Sequence, residues 1–73
     1  MMSERDFRDV RISYAAARVN KKLTQPEAAK ALDISLSTLL NYETGKTIPD
    51  WDMHNRMADF YGLPSGMLCP PKK

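Results

Sequence analysis

The 73-residue chain has one cysteine, Cys69, one histidine, His54, and only three glycines and two phenylalanines. A single thiol forms no intramolecular disulfide, and one Cys with one His cannot assemble a zinc site. Such cysteine usage fits a reducing, cytoplasmic setting. No apolar run approaches the ~18 residues that a bilayer span needs. The opening MMSERDFRDVR carries charges where a signal peptide needs an apolar stretch, so no membrane or secretory role is indicated. Also missing are a Gly-rich phosphate loop, a nucleophile paired with a base, and any metal constellation. The expectation is therefore a non-enzyme with no cofactor and no small-molecule ligand. Charge of one sign is lacking too: the net +2 divides as +3 over residues 1–23, −1 over 24–47 and 0 over 48–73. Nucleic acid is permitted as a partner by these figures, but not argued for. One domain of this length buries only ~60% of its unfolded surface, which leaves no room for a large substrate cleft.

What is present is helical. Clusters of Val, Ile and Thr at period two are absent, helix formers dominate, and start and stop signals cut the chain into five pieces. A first helix is read over residues 5–19, from Phe7, Val10, Tyr14 and Ala17 at helical spacing. The second opens at Thr24, whose hydroxyl and Glu27 three residues on form a capping box, with Pro26 in the first turn; it runs to Asp33. Ser35 caps a third helix over 36–43, with Ile34 and Leu39 at the positions of a hydrophobic staple and Gly45 ending it. Pro49-Asp50 starts a fourth over 51–61, which Gly62 stops. A weak turn over 64–68 completes a domain of residues 3–68, and residues 69–73 read as a Pro/Lys tail. Only Asp33-Ile34-Ser35 separates the second and third helices, a joint short enough for a helix-turn-helix.

At 100° per residue the third helix gathers Leu39, Tyr42 and Glu43 on one face, taken as inward. The opposite side carries Leu36, Ser37, Leu40, Asn41 and Thr44. Such short side chains reach base edges: Asn pairs bidentately with adenine, Ser bonds to many bases, and Leu touches a thymine methyl. In isolation the same face also reads as an ordinary solvated surface with a stray leucine.

The set Arg18, Leu23-Thr24-Gln25, Ala28-Ala29, Leu32, Ile34-Ser35, Thr38-Leu39, Tyr42-Glu43, Gly45-Lys46 and Pro49 resembles the phage repressor and Cro class of helix-turn-helix domains, the XRE-like family. Similarity continues through Trp51, Met57-Ala58, Tyr61-Gly62-Leu63 and Leu68. The resemblance implies an all-α, five-helix, lambda-repressor-like domain in a prokaryotic or phage-infected cytoplasm. It also implies a transcriptional regulator that binds double-stranded operator DNA, usually as a homodimer, with the third helix in the major groove. Carried over by position, it assigns Leu36, Ser37, Leu40 and Asn41 to base reading. It assigns Gln25, Ser35, Thr38, Thr44 and Lys46 to phosphate, and Arg18 with Glu43 to a structural ion pair. The runner-up is a protein-interaction module of the same fold, an antitoxin-like or anti-repressor partner that binds no DNA.

Several positions depart from the family pattern. Leu36 and Asn41 stand where relatives often have arginine, and Leu40 replaces a small polar residue, so the expected target is rich in A·T pairs. Asp33 occupies a turn position usually held by Gly, and Asp tolerates left-handed backbone better than most residues. His54, where a Leu is common, reads as a half-buried packing residue. Pro64, Ser65, Gly66 and Pro70-Pro71 leave little helix for a dimer contact.

Overall fold

A computed structural model describes residues 11–71. In chain order its elements are β1 (Ile12–Ser13), α1 (Tyr14–Asn20), α2 (Gln25–Ala31), α3 (Leu36–Thr44), α4 (Trp51–Tyr61) and β2 (Leu68–Cys69). The fold is thus mostly helical, with four helices among the described residues. No helix among these residues is long and apolar enough to cross a membrane.

Helix ends fall where short side chains satisfy the free N–H groups. Thr24 Oγ1 accepts from the Glu27 N–H while Glu27 Oε1 accepts from the Thr24 N–H at 2.8 Å, a complete capping box. That backbone hydrogen bond also lowers the pKa of the Glu27 carboxyl. Ser35 caps α3, Asp50 caps α4, and Ser13 caps α1. Gly45 (φ 82°) and Gly62 (φ 74°) end α3 and α4 in the left-handed region, where any Cβ is disfavoured. The α2 C-terminus is closed from outside, by Arg56 Nη2 donating to the Leu32 carbonyl at 2.8 Å. Lys21 Nζ lies against Gly62 at the C-terminal end of α4.

The core is built around Tyr14, Leu39 and Met57, with Leu32, Tyr61 and Leu68 also buried. Ala17, Ala28, Ala29 and Ala58 are the buried small residues of the helix contacts, and their size lets backbones approach. A fully buried Leu or Met contributes about 1.5–3 kcal/mol, more than any single cap, so this core orders the helices and the caps trim their ends. Ile34 packs on it from the α2–α3 joint.

Two expectations are corrected. The helix read from residue 5 starts at Tyr14: Arg11 is outside it and Ile12–Ser13 is extended. The portion over 5–10, with Phe7 and Val10, lies outside the described residues. The strands that the sequence reading lacked are two residues each and pair in parallel, Ile12 with Leu68 and Ser13 with Cys69. Burial of Leu68 in the same core as Tyr14 and the Ile12 N–H donating to the Met67 carbonyl at 2.7 Å hold that pairing. The weak turn read over 64–68 is found as a turn over residues 65–67 that leads into β2.

Candidate nucleic-acid interface

The joint between α2 and α3 is set by backbone. Leu32 closes α2, the Asp33 N–H donates to the Lys30 carbonyl at 3.1 Å, and Asp33 turns the chain with φ 59°. The Ile34 N–H then returns to the Ala29 carbonyl at 3.0 Å, directing its side chain toward the core. Ser35 Oγ accepts from the Thr38 N–H at 3.0 Å and α3 begins.

Burial divides α3 into two faces. Leu39 is fully buried and Tyr42 packs against the core, while Leu36 is 42% exposed and Ser37 and Thr44 are exposed. Leu40 and Asn41 are half-buried between them. Nothing among the described residues hydrogen-bonds to the Asn41 side chain, so its amide is available at the surface.

The Glu43 carboxylate fixes α3 against α1 and α2. Its side chain is 5% exposed and that of Arg18 13%. Arg18 Nε donates to Glu43 Oε2 at 2.8 Å and Nη2 to Oε1 at 3.3 Å, a two-pronged pair. Arg18 Nη1 donates to the Leu23 carbonyl at 2.9 Å, tying the same guanidinium to the α1–α2 loop. Gln25 Nε2 donates to Glu43 Oε1 at 3.2 Å. Three elements therefore converge on one carboxylate, and the hydrogen bond to Glu43 raises the Arg18 pKa. Near the pair lies the Tyr61 hydroxyl, buried without a hydrogen-bond partner among the described residues. Burial pushes its pKa up to about 12, with the Glu43 charge adding to the rise.

The residues singled out for phosphate are engaged to different degrees. Gln25 is half-buried with one N–H spent on Glu43, which leaves the other. Ser35 Oγ donates to Thr38 Oγ1 at 2.8 Å, so the Thr38 hydroxyl proton is not spent on that bond. Thr44 Oγ1 donates back to the Leu40 carbonyl at 2.9 Å, and Lys46 is exposed.

His54 is a bridge inside the fold. Its Nε2 faces the Ser65 carbonyl at 3.0 Å and so carries the proton, and Nδ1 accepts from the Tyr14 hydroxyl at 2.9 Å. Trp51 stacks on the ring. With both nitrogens used, His54 has no position for a metal, and no group of three or more His, Cys, Asp or Glu among the described residues could hold one. Spacing alone missed this bridge because Tyr14 and Ser65 lie far from His54 in sequence.

The helix-turn-helix domain family matches residues 15–68, most of the chain. The chain belongs to that family. As a helix-turn-helix domain it is also similar to the cryptic phage CTXphi transcriptional repressor RstR of Vibrio cholerae. The two are 35% identical over 51 residues, which is 70% of this chain and 46% of the repressor. The domain thus spans about half the length of that curated relative. No solved structure matches it.

Proposed function

We propose that this helix-turn-helix domain is a sequence-specific DNA-binding regulator of transcription, of the repressor or Cro type, and not an enzyme. In this reading it acts in the cytoplasm with α3 in the major groove of an operator. The observation that carries the reading is the division of α3: an apolar and carboxylate face locked to α1 and α2, and an outer face of short polar and aliphatic side chains. Leu36, Ser37, Leu40 and Asn41 read base edges there, Asn41 pairing with adenine and the leucines meeting thymine methyls. Phosphates are met by the remaining Gln25 N–H, by Ser35 and Thr38, by Thr44 and by Lys46. Homology to a named phage repressor supports the same reading. A lambda-repressor-like homodimer on a two-fold site, with half-sites about one helical turn apart, supplies the affinity that one small half-site interface lacks.

The test is selection of bound sequence from a random duplex pool by the full chain, followed by titration of the selected duplex. The reading requires A·T-rich half-sites in two-fold repeat. It also requires that Asn41→Ala lose about 1–3 kcal/mol of discrimination at one position. No enrichment, together with no salt-dependent affinity for any duplex, overturns it in favour of a protein-binding module.

A further inference from the structure

The two most exposed large apolar side chains among the described residues are Trp51, at 71%, and Ile48, at 66%, and they stand on either side of buried Pro49. Pro49 and Trp51 also wall an open groove of about 310 Å³, completed by Tyr14, His54, Leu68 and Pro70. The Pro70 wall is held in place, because the following Pro71 ring lies against Gly45, the cap of α3, where a Cβ would come within 3.3 Å of Pro71 Cγ. The polar atoms of the Tyr14 and His54 side chains are already spent: Tyr14 donates to His54 Nδ1, and Nε2 faces the Ser65 carbonyl. What the groove offers an occupant is therefore mainly ring and aliphatic surface.

An apolar hole with an apolar knob beside it suits a two-fold contact between identical chains, in which each copy gives the other what it receives. Ile48 is such a knob, exposed and directly preceding the Pro49 of the groove wall. Exposed Lys46 and exposed Asp52 give this stretch both signs of charge, so two copies are not driven apart by a single-sign field. Its place relative to α3 also fits. The Thr47 N–H donates to the Asn41 carbonyl at 3.3 Å, and chain connectivity then keeps the Ile48 Cα within roughly 10 Å of the Asn41 Cα. A two-fold axis one side-chain layer beyond Ile48 allows the two copies of Asn41 to stand up to about 30 Å apart, close to the ~34 Å between half-sites one helical turn apart.

Resting on the homodimer reading above, we propose that the α3–α4 loop and the start of α4 form the two-fold interface, with Ile48 of each copy entering the groove walled by Trp51 of the other. Trp51, a large ring at the rim, anchors the contact. Two apolar side chains and one groove per copy fall well short of the ~800 Å² per partner of a standard interface, so the free dimer is weak and forms at high chain concentration.

The experiment is sedimentation equilibrium of the full chain without DNA, at concentrations up to about 1 mM, with urea midpoints of dilute protein as the folding control. A reversible monomer–dimer equilibrium is expected for the wild type. Ile48→Ser should weaken it at least about tenfold with the midpoint unchanged, since each substitution acts twice in a two-fold pair. Trp51→Ser should do the same, and Val19→Ser, exposed but away from the groove, should leave the dimer constant unchanged. A wild-type chain that stays monomeric throughout overturns the interface, and one in which Ile48→Ser also lowers the midpoint assigns the face to a segment of the same chain instead. A dimer constant untouched by Ile48→Ser overturns the proposal in favour of another face. Salt-dependent affinity for a random-sequence duplex, measured alongside, separates the two readings: a monomer that binds duplex fails the interface alone, and a dimer sensitive to Ile48→Ser that binds no duplex fails the DNA reading and leaves the interface standing.

Discussion

Replacing Glu43 with alanine removes one carboxylate and unties three elements at once. Arg18 would keep only the Leu23 carbonyl as partner, at a site where its side chain is 13% exposed, and Gln25 would lose its acceptor. The guanidinium cannot escape by losing its proton. Stranding one member of such a pair costs about 3–5 kcal/mol, whereas a chain of this length has only about 4–11 kcal/mol in total. At about 4–8 °C per kcal/mol for a small domain, the melting temperature falls by at least about 12 °C. Asn41→Ala, on the outer face of the same helix, is the internal control and should cost under about 0.5 kcal/mol. Thermal and urea melts followed by circular dichroism give both values. Repeating them at low and high salt should leave the gap intact, because a buried pair is weakly screened. The double variant Arg18→Met/Glu43→Met should recover much of the loss, since neither charge is then stranded. Equal small losses for Glu43→Ala and Asn41→Ala would refute the reasoning.

Four further outcomes are expected. Tyr61→Phe deletes a buried hydroxyl without a partner and should raise stability by about 1 kcal/mol; a loss of that size in urea melts would show a partner to exist. Because burial raises the folded pKa of Tyr61 from 10.0 to about 12, its contribution is complete below pH 10 and disappears as pH rises toward 12. The melting temperature should fall across that window, less steeply in Tyr61→Phe than in the wild type; equal slopes would exclude Tyr61 as a source. Asp33→Gly relieves a left-handed Asp (φ 59°) and should add about 0.5–1 kcal/mol after the entropy of glycine is deducted, so a lowered melting temperature would contradict strain at the joint. Ser35→Ala removes the α3 cap and should cost about 1 kcal/mol, measurable in the same melts, with no change indicating that water caps equally well.

Much of the helical frame was legible because its signals are local. Thr24 with Glu27, Ser35, Asp50, Gly45 and Gly62 each act within a turn or two of their own position, and the structure uses every one of them. The inward placement of Leu39 and Tyr42 followed from helical geometry alone. The start of α1 was misread because Phe7, Val10 and Tyr14 share one helical spacing. What ends the helix at Tyr14 is Ile12 pairing with Leu68, a contact that no local pattern announces. The same limit hid the His54 bridge and the fold of Pro71 onto Gly45, since each joins residues remote in sequence. Gln25 was assigned to phosphate by position alone, and its hydrogen bond to Glu43 becomes visible only once α2 and α3 are set side by side.

The parallel contact between Ile12–Ser13 and Leu68–Cys69 also bears on the order of folding. It closes nearly the whole described chain into one loop, with a larger closure entropy than the helix contacts among the described residues. The α2–α3 unit, by contrast, closes over a few residues and carries its own caps. Contacts of short range form early and those of long range late, so the clasp is placed on the native side of the folding barrier. Ile12→Ala or Leu68→Ala should then speed unfolding while leaving the folding rate almost unchanged. The persistence of the folded domain would in that case be governed at its clasped ends, away from the helices proposed to meet DNA.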